Sequence, residues 1–144
     1  MSSSSWARRH ARRALVQAVY QWQMTDADTQ TVEAQFEDDG SLAKADREFF
    51  REMLRGVLQG SDELDACFQP HLDRKLKELD KVELALLRLG TFELKERLEV
   101  PFRVVINEYV ELAKTFGAED SHKYINGILD KLSNVLRAAE PRSS

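Results

Sequence analysis

The chain has 144 residues and a formal net charge of −4. Its length suits one compact domain and argues against a two-domain enzyme. The charge is uneven: the first 25 residues carry four arginines and no acidic side chain, while the rest carry the other 17 of the 21 basic side chains against all 25 acidic ones. This asymmetry indicates a basic interaction surface on an otherwise acidic body.

The single cysteine, Cys67, excludes a disulfide framework and a cysteine-based zinc site. We interpret it as a small core residue in a reducing compartment, with a reactive thiol as the alternative. No apolar run approaches the roughly 18 residues that span a bilayer. We therefore expect a soluble, cytoplasmic protein.

Apolar residues recur at helical rather than alternating spacing, which predicts an all-α chain of about seven helices. The first helix, over about residues 6–24, has one core stripe, made of Ala11, Leu15, Ala18, Val19 and Trp22. A short helix follows near residues 31–36 and a third over 45–58. Gly60 is predicted as a left-handed stop before a cap at Ser61, and Pro70 ends or bends a fourth helix.

Asp80 is predicted to cap a fifth helix, with Glu83 three residues later as in a capping box. Residues 84–94 are apolar on nearly all sides, which is typical of a central, surrounded helix. A sixth helix starts at Pro101 and closes at Gly117. The last helix follows. We expect one helical domain over residues 6–138, with flexible tails at 1–5 and 139–144.

The sequence contains no convincing catalytic or metal-binding constellation. The three histidines lie in different predicted elements without ligand spacing, and no glycine-rich phosphate loop occurs. The abundant carboxylates are most simply solvated charges, because acid–base work needs paired acids in a dry cleft. We therefore predict no enzyme, no metal and no cofactor.

The first helix carries the strongest binding signal. At 100° per residue, with Arg8 at zero, Arg12, Arg9 and Arg13 fall at about 40°, 100° and 140°. We interpret the four arginines as one exposed face, with Tyr20 on the same side at about 120°. Guanidinium groups neutralise phosphates and an aromatic ring stacks on an unpaired base, so this surface predicts binding of single-stranded RNA or DNA.

Two other interpretations of this helix stay open. The arginines are also compatible with simple solvation while Tyr20 packs in the core. A helix lying on a membrane surface is disfavoured, because the apolar side is rich in alanine and has few bulky residues for insertion.

A second candidate surface is the turn over residues 116–124. Asp120 or Ser121 is predicted to cap the last helix, and a helix start also presents free N–H groups to a phosphate or a partner. Tyr124 lies in the first turn, and periodicity allows it to be either a core residue or an exposed anchor.

Four segments together resemble the NusB family of bacterial transcription antitermination factors: residues 8–23, 82–88, 101–114 and 116–132. The resemblance runs from about residue 6 to 136 in family order. It implies two small helical subdomains packed as one NusB-like domain. It also implies a heterodimer with NusE, a small-subunit ribosomal protein, that binds the single-stranded boxA element of nascent ribosomal RNA. That complex joins other Nus factors on RNA polymerase and suppresses premature termination.

The resemblance also implies site residues. For RNA they are Arg8, Arg9, Arg12, Arg13, Tyr20, Arg88, Asp120, Ser121, Lys123 and Tyr124. For the protein partner they are Tyr20, Glu78, Glu83 and Arg88. Two positions depart from the family pattern, because Tyr124 adds a hydroxyl where phenylalanine is common and Lys77 lies in a stretch that is commonly acidic.

Two hypotheses from other classes remain to be tested. A helical adaptor would bind a protein partner without salt-dependent affinity for RNA. An RNA-processing enzyme would turn over a bound oligonucleotide. The family module also occurs in RNA cytosine methyltransferases, but these 144 residues include no catalytic domain of that kind.

Overall fold

The computed structural model describes residues 4–142, and these form seven α-helices without a strand. The helices are α1 (Ser5–Met24), α2 (Thr29–Asp38), α3 (Arg47–Gln59), α4 (Ser61–Phe68), α5 (Lys81–Glu96), α6 (Phe102–Phe116) and α7 (Ser121–Leu136). Two short 3₁₀ turns, Gln69–His71 and Leu76–Glu78, lie between α4 and α5 in the chain. The predicted all-helical class is confirmed.

The chain divides into two compact units. The first runs to Ser61 and contains α1 to α3, and the second begins at Asp62 and contains α5 to α7 with most of α4. In the first unit α1 packs on both α2 and α3, and in the second α5, α6 and α7 all pack on one another.

Side-chain caps set the starts of four helices. Ser4, Asp28, Asp46 and Asp80 each accept a hydrogen bond from a backbone N–H three residues later. Each bond satisfies one of the N–H groups that a helix leaves unpaired at its first turn, which stabilises the helix by about 1 kcal/mol. The predicted cap at Asp80 is confirmed.

Two boundary details differ from the prediction. Gly60 has a φ of −107°, so it does not adopt a left-handed conformation, and α4 already includes Ser61. At the C-terminus, Glu140 accepts a hydrogen bond from the Phe102 N–H at 3.0 Å, so contacts with α6 continue past residue 138. Residues 1–3 and 143–144 of the expected tails lie outside the described residues.

The core of the first unit forms where the alanine-rich side of α1 meets aromatic residues of α3. Ala11, Leu15 and Val19 are fully buried. The rings of Phe36 and Phe50 stack with their centroids 6.0 Å apart, which joins α2 to α3. The periodicity of α1 decides which of its side chains lie on the side that packs on α3.

The second unit is built around α5, as its apolar sequence predicts. Ten of its sixteen residues are buried. Gly90 permits the close packing of α7, because a Cβ there would lie 2.9 Å from a methyl group of Leu129. The Tyr109 hydroxyl donates a hydrogen bond of 2.8 Å to the Glu93 carboxylate, and this pairing satisfies two polar groups in the core.

Arg137 closes the C-terminal end of α5 from the far end of α7. Its buried guanidinium donates to the carbonyl oxygens of Leu94 at 2.6 Å and Arg97 at 3.0 Å. Glu140 balances its charge, with a nitrogen–oxygen distance of 2.6 Å. The last carbonyl groups of a helix lack partners within it, so a cation placed there satisfies them and interacts favourably with the helix dipole.

We predict that Arg137→Met lowers the free energy of unfolding by about 2–4 kcal/mol, because it leaves the Leu94 carbonyl without a donor and Glu140 without its ion-pair partner. Urea denaturation at 25 °C measures the change. The matched control is Lys131→Met on the exposed side of α7, where we expect a change within about 0.5 kcal/mol. Equal effects of the two substitutions would contradict the capping role.

Candidate nucleic-acid interface

Arg9, Arg13 and Tyr20 share one exposed face of α1. Their positions on the helix span only about 40°, from about 100° to 140°, and all three side chains reach solvent. Tyr20 is 39% exposed, so the interpretation that places it in the core is wrong. This face combines two cations with an aromatic ring, and proteins use that combination to bind single-stranded nucleic acids.

Arg8 and Arg12 have different surroundings. Their guanidinium carbons lie over the ring of Phe49, at 4.7 Å and 5.1 Å from its centroid. Arg12 is only 3% exposed, and the Nε of Arg8 lies 3.8 Å from a carboxylate oxygen of Asp46. The prediction that all four arginines form one exposed face is therefore wrong for Arg12 and only partly right for Arg8.

The physical reason is the angular position of these two residues. The core stripe of α1 covers the angles from about 280° through zero to 20°. Arg8, at zero, lies inside this range, and Arg12 lies only about 20° beyond its edge at Val19. Both side chains therefore point towards α3, where the face of Phe49 attracts a cation and their methylene groups cover apolar surface. The basic segment contains two arginines that brace α1 against α3 and two that face solvent.

In the second unit, the turn before α7 is held from inside. Ser121 is buried, and its hydroxyl donates a hydrogen bond of 2.9 Å to the carboxylate of Glu83, which is also buried. Gly117 lets the chain turn tightly, because a Cβ there would lie 2.8 Å from the carbonyl oxygen of Ala113. Asp120 occupies the N-cap position of α7, as predicted, but its side chain makes no capping hydrogen bond.

The exposed rim of this turn carries an ion pair. Lys123 Nζ lies 3.6 Å from a carboxylate oxygen of Asp120, and the two side chains are 74% and 78% exposed. An ion pair this exposed contributes little stability. Both charges are therefore available to a ligand, one attracting phosphate and the other repelling it.

Tyr124 lies between the two predicted alternatives. It is half-buried, and the guanidinium of Arg74 stacks over its ring at 4.2 Å. Burial raises the pKa of the Tyr124 phenol, and the negative charge of the nearby Asp73 carboxylate also raises it. Arg74 in turn binds Asp73 at 2.8 Å. Sequence reasoning missed Arg74, since it lies far from Tyr124 along the chain and carries no local motif.

The remaining predicted residues differ in how much they offer a partner. Arg88 makes a two-pronged ion pair with Asp65, at 2.8 Å and 2.7 Å, and both side chains are largely covered. Glu78 is exposed, although its carboxylate accepts a hydrogen bond of 2.7 Å from the Lys75 N–H. Of the acids predicted for the protein partner, Glu78 is exposed and Glu83 is buried.

Within residues 4–142, no group of three or more His, Cys, Asp or Glu side chains is placed to hold a metal ion. In the same part of the chain, no helix is both long and apolar enough to cross a membrane. Cys67 is half-buried rather than fully in the core.

Comparison with known proteins gives one consistent result. A family model described as the NusB family matches residues 9–134. The transcription antitermination protein NusB of Alcanivorax borkumensis is 57% identical over 138 residues, which cover 96% of this chain and 92% of that protein. The protein of the same name from Hahella chejuensis is 51% identical over 140 residues, covering 97% and 94%.

A solved structure agrees with the sequence comparisons. The structure of T. maritima NusB superposes with a TM-score of 0.77 and 31% identity, and the match covers 93% of each chain. The similarity therefore extends over both compact units rather than over one motif.

The two kinds of arginine predict different mutational effects on stability. Arg12→Gln should lower the free energy of unfolding by about 1–3 kcal/mol, because it removes a buried cation from the face of Phe49 and loses packing. Arg13→Gln, one residue away on the exposed face, should change it by no more than about 0.5 kcal/mol. Urea denaturation of the two variants makes the comparison, and an equal loss in both would contradict this division.

Proposed function

The chain belongs to the NusB family of transcription antitermination proteins, and we propose that it acts by binding the single-stranded boxA element of nascent ribosomal RNA as a heterodimer with NusE. The complex then joins other Nus factors on RNA polymerase and helps the enzyme pass sites of premature termination. The chain acts by binding rather than by catalysis, and its place of action is the bacterial cytoplasm, where transcription occurs.

The observation that carries this proposal is the exposed face of α1 formed by Arg9, Arg13 and Tyr20. The two arginines are one helical turn apart, a rise of about 6 Å, so they can contact successive phosphates of an extended strand. Tyr20 lies about 10 Å further along the axis from Arg13 and offers its ring to an unpaired base. Arg8 and Arg12 support this face by fixing α1 on α3.

We propose the turn before α7 as a second RNA contact. Lys123 is exposed at the start of that helix, where the helix dipole also favours an anion. Tyr124 and its stacked Arg74 lie in the same unit and present an aromatic ring together with a cation. The buried pair of Glu83 and Ser121 acts by holding the turn in place rather than by touching RNA.

The acidic remainder of the chain favours a basic partner such as NusE, because complementary charge speeds association. We propose Glu78 as a direct contact, since its carboxylate is exposed. Tyr20 lies where the RNA and NusE surfaces of the family meet, and we assign it to both. Arg88 and Glu83 are bonded to Asp65 and Ser121 within the second unit, and we propose that they act by holding the contact surface of that unit in shape.

A binding experiment tests the proposal against a pure protein adaptor. Fluorescence anisotropy with a labelled single-stranded boxA RNA, with and without NusE, should show tight binding to the heterodimer and weaker binding of a scrambled RNA. The logarithm of the heterodimer's affinity for boxA RNA should fall linearly with the logarithm of the salt concentration. Arg9→Gln and Arg13→Gln should each reduce the slope of that line by about 0.7. NusE binding without salt-dependent RNA affinity would instead identify an adaptor.

Tyr20 gives a sharper test at a single residue. Tyr20→Asp should weaken binding of RNA or NusE by about 1–3 kcal/mol, the range of one stacking contact. The thermal midpoint followed by circular dichroism should stay within a few degrees, because the ring is partly exposed. Loss of the folded signal would show that Tyr20 holds the core instead.

At the second contact, Asp120→Asn should raise RNA affinity by up to about fivefold, because it removes a repulsive charge and releases Lys123 from its ion pair. Stability should barely move, since the Asp120 side chain makes no capping bond. The gain should shrink as salt is added.

The control for that substitution is Asp38→Asn, at the exposed end of α2 in the other unit. If Asp120→Asn lowers the affinity, or raises it no more than Asp38→Asn does, the turn before α7 does not meet the phosphates.

A further inference from the structure

Trp6 is the largest side chain on the exposed side of α1, and the function proposed above makes no use of it. It is 54% exposed, although a tryptophan is usually well covered in a folded protein. Its ring contacts the His10 ring edge to face, with centroids 4.2 Å apart and planes at 69°. The His10 ring therefore supports the indole from within α1 while much of the Trp6 side chain stays open to solvent.

The helix places Trp6 in line with the proposed RNA contacts. It falls at about 160°, beside Arg13 at about 140° and Tyr20 at about 120°. Along the axis, Arg9, Arg13 and Tyr20 lie about 4.5, 10.5 and 21 Å beyond it. From its N-terminal end, the exposed face of α1 therefore carries an aromatic ring, two cations and a second aromatic ring.

The backbone beneath Trp6 is fixed. Ser4 accepts a hydrogen bond of 3.0 Å from the Ala7 N–H and so caps the first turn of α1. The Asp46 N–H also donates to the Ala7 carbonyl oxygen at 3.0 Å, which ties that turn to the start of α3. A ring held on an ordered helical turn loses little conformational freedom when it binds a ligand.

We propose that Trp6 is a stacking platform for an unpaired base of the bound RNA, at the opposite end of the α1 face from Tyr20. The proposal rests on the function proposed above and extends its contact surface. An indole presents a large π face that accepts any base, while Arg9 and Arg13 neutralise the phosphates between the two rings. The spacing of about 21 Å corresponds to about six stacked nucleotides at 3.4 Å each.

The positive charge beside Trp6 favours RNA over an apolar protein surface as its ligand. No acidic residue occurs before Asp26, and the Asp46 carboxylate near the first turns of α1 lies 3.8 Å from the Arg8 Nε, so positive charge exceeds negative charge on this part of α1. A contact with an apolar protein would instead require burying the ring beside two charged guanidinium groups, which is costly.

The test measures binding of a 12-nucleotide single-stranded boxA RNA to the heterodimer with NusE, using Trp6→Leu, Trp6→Tyr and Met24→Ala. Trp6→Leu keeps apolar bulk but removes the π face, so the affinity should fall about fivefold or more. The slope with salt should stay unchanged, because no phosphate contact is lost. Trp6→Tyr should retain the affinity within about threefold, because it keeps an aromatic face.

Met24→Ala is the matched control. Met24 has the same exposed fraction as Trp6, 54%, and the same angular position on α1, 18 residues further along. It has no π face, so we expect its loss to change RNA affinity by less than about twofold.

Intrinsic fluorescence gives a direct readout. The chain contains two tryptophans, so comparing the wild type with Trp6→Phe isolates the emission of Trp6 from that of Trp22. Stacking on a base should quench the Trp6 emission when RNA is added.

Three results would overturn the proposal. If Trp6→Leu binds RNA as tightly as the wild type while Arg9→Gln weakens binding, Trp6 is not a platform and the proposed function stands. If Trp6→Leu loses affinity for NusE alone, the ring contacts protein instead. If the wild-type heterodimer itself fails to bind boxA RNA, both this proposal and the proposed function fall.

Discussion

One aromatic ring of α3, Phe49, holds two guanidinium groups of α1, and this contact decides what the rest of the basic segment can do. α1 turns by 100° per residue, so burying its alanine-rich side commits Arg8 and Arg12 to the same ring. The contact fixes the rotation of α1 about its own axis. Arg9 and Arg13 then face solvent together with Tyr20 and Trp6, so the two arginines on Phe49 support the pair that we propose to bind RNA.

In the second unit, too, contacts between side chains fix how the helices lie on one another, but here they are hydrogen bonds rather than a cation over a ring. Glu83 on α5 holds Ser121 at the start of α7, and Asp65 on α4 holds Arg88 on α5. These polar groups are largely buried, where leaving one partner unpaired is costly. The bond between Glu83 and Ser121 holds the turn before α7 from inside, while Glu119, Asp120 and Lys123 are exposed on its rim.

The sequence was sufficient for the helical class, for the central position of α5 and for the cap at Asp80, because these depend on periodicity and on neighbours three residues away. The prediction that Arg12 is exposed was wrong, because its position only about 20° from Val19 on the helix mattered more than its residue type. It also missed the stacking of Arg74 on Tyr124 and the bond between Glu83 and Ser121, which joins residues 38 apart. Such contacts depend on how helices meet, and a single sequence does not reveal them.

The central claim is that the arginines of one helix divide into a bracing pair and a binding pair. Nuclear magnetic resonance of the guanidinium Nε–H groups, recorded while boxA RNA is titrated into the heterodimer with NusE, tests it most directly. We predict that the signals of Arg9 and Arg13 shift in step with RNA concentration while those of Arg8 and Arg12 move little. Shifts confined to Arg8 and Arg12, or none on α1 once RNA has bound, would contradict it.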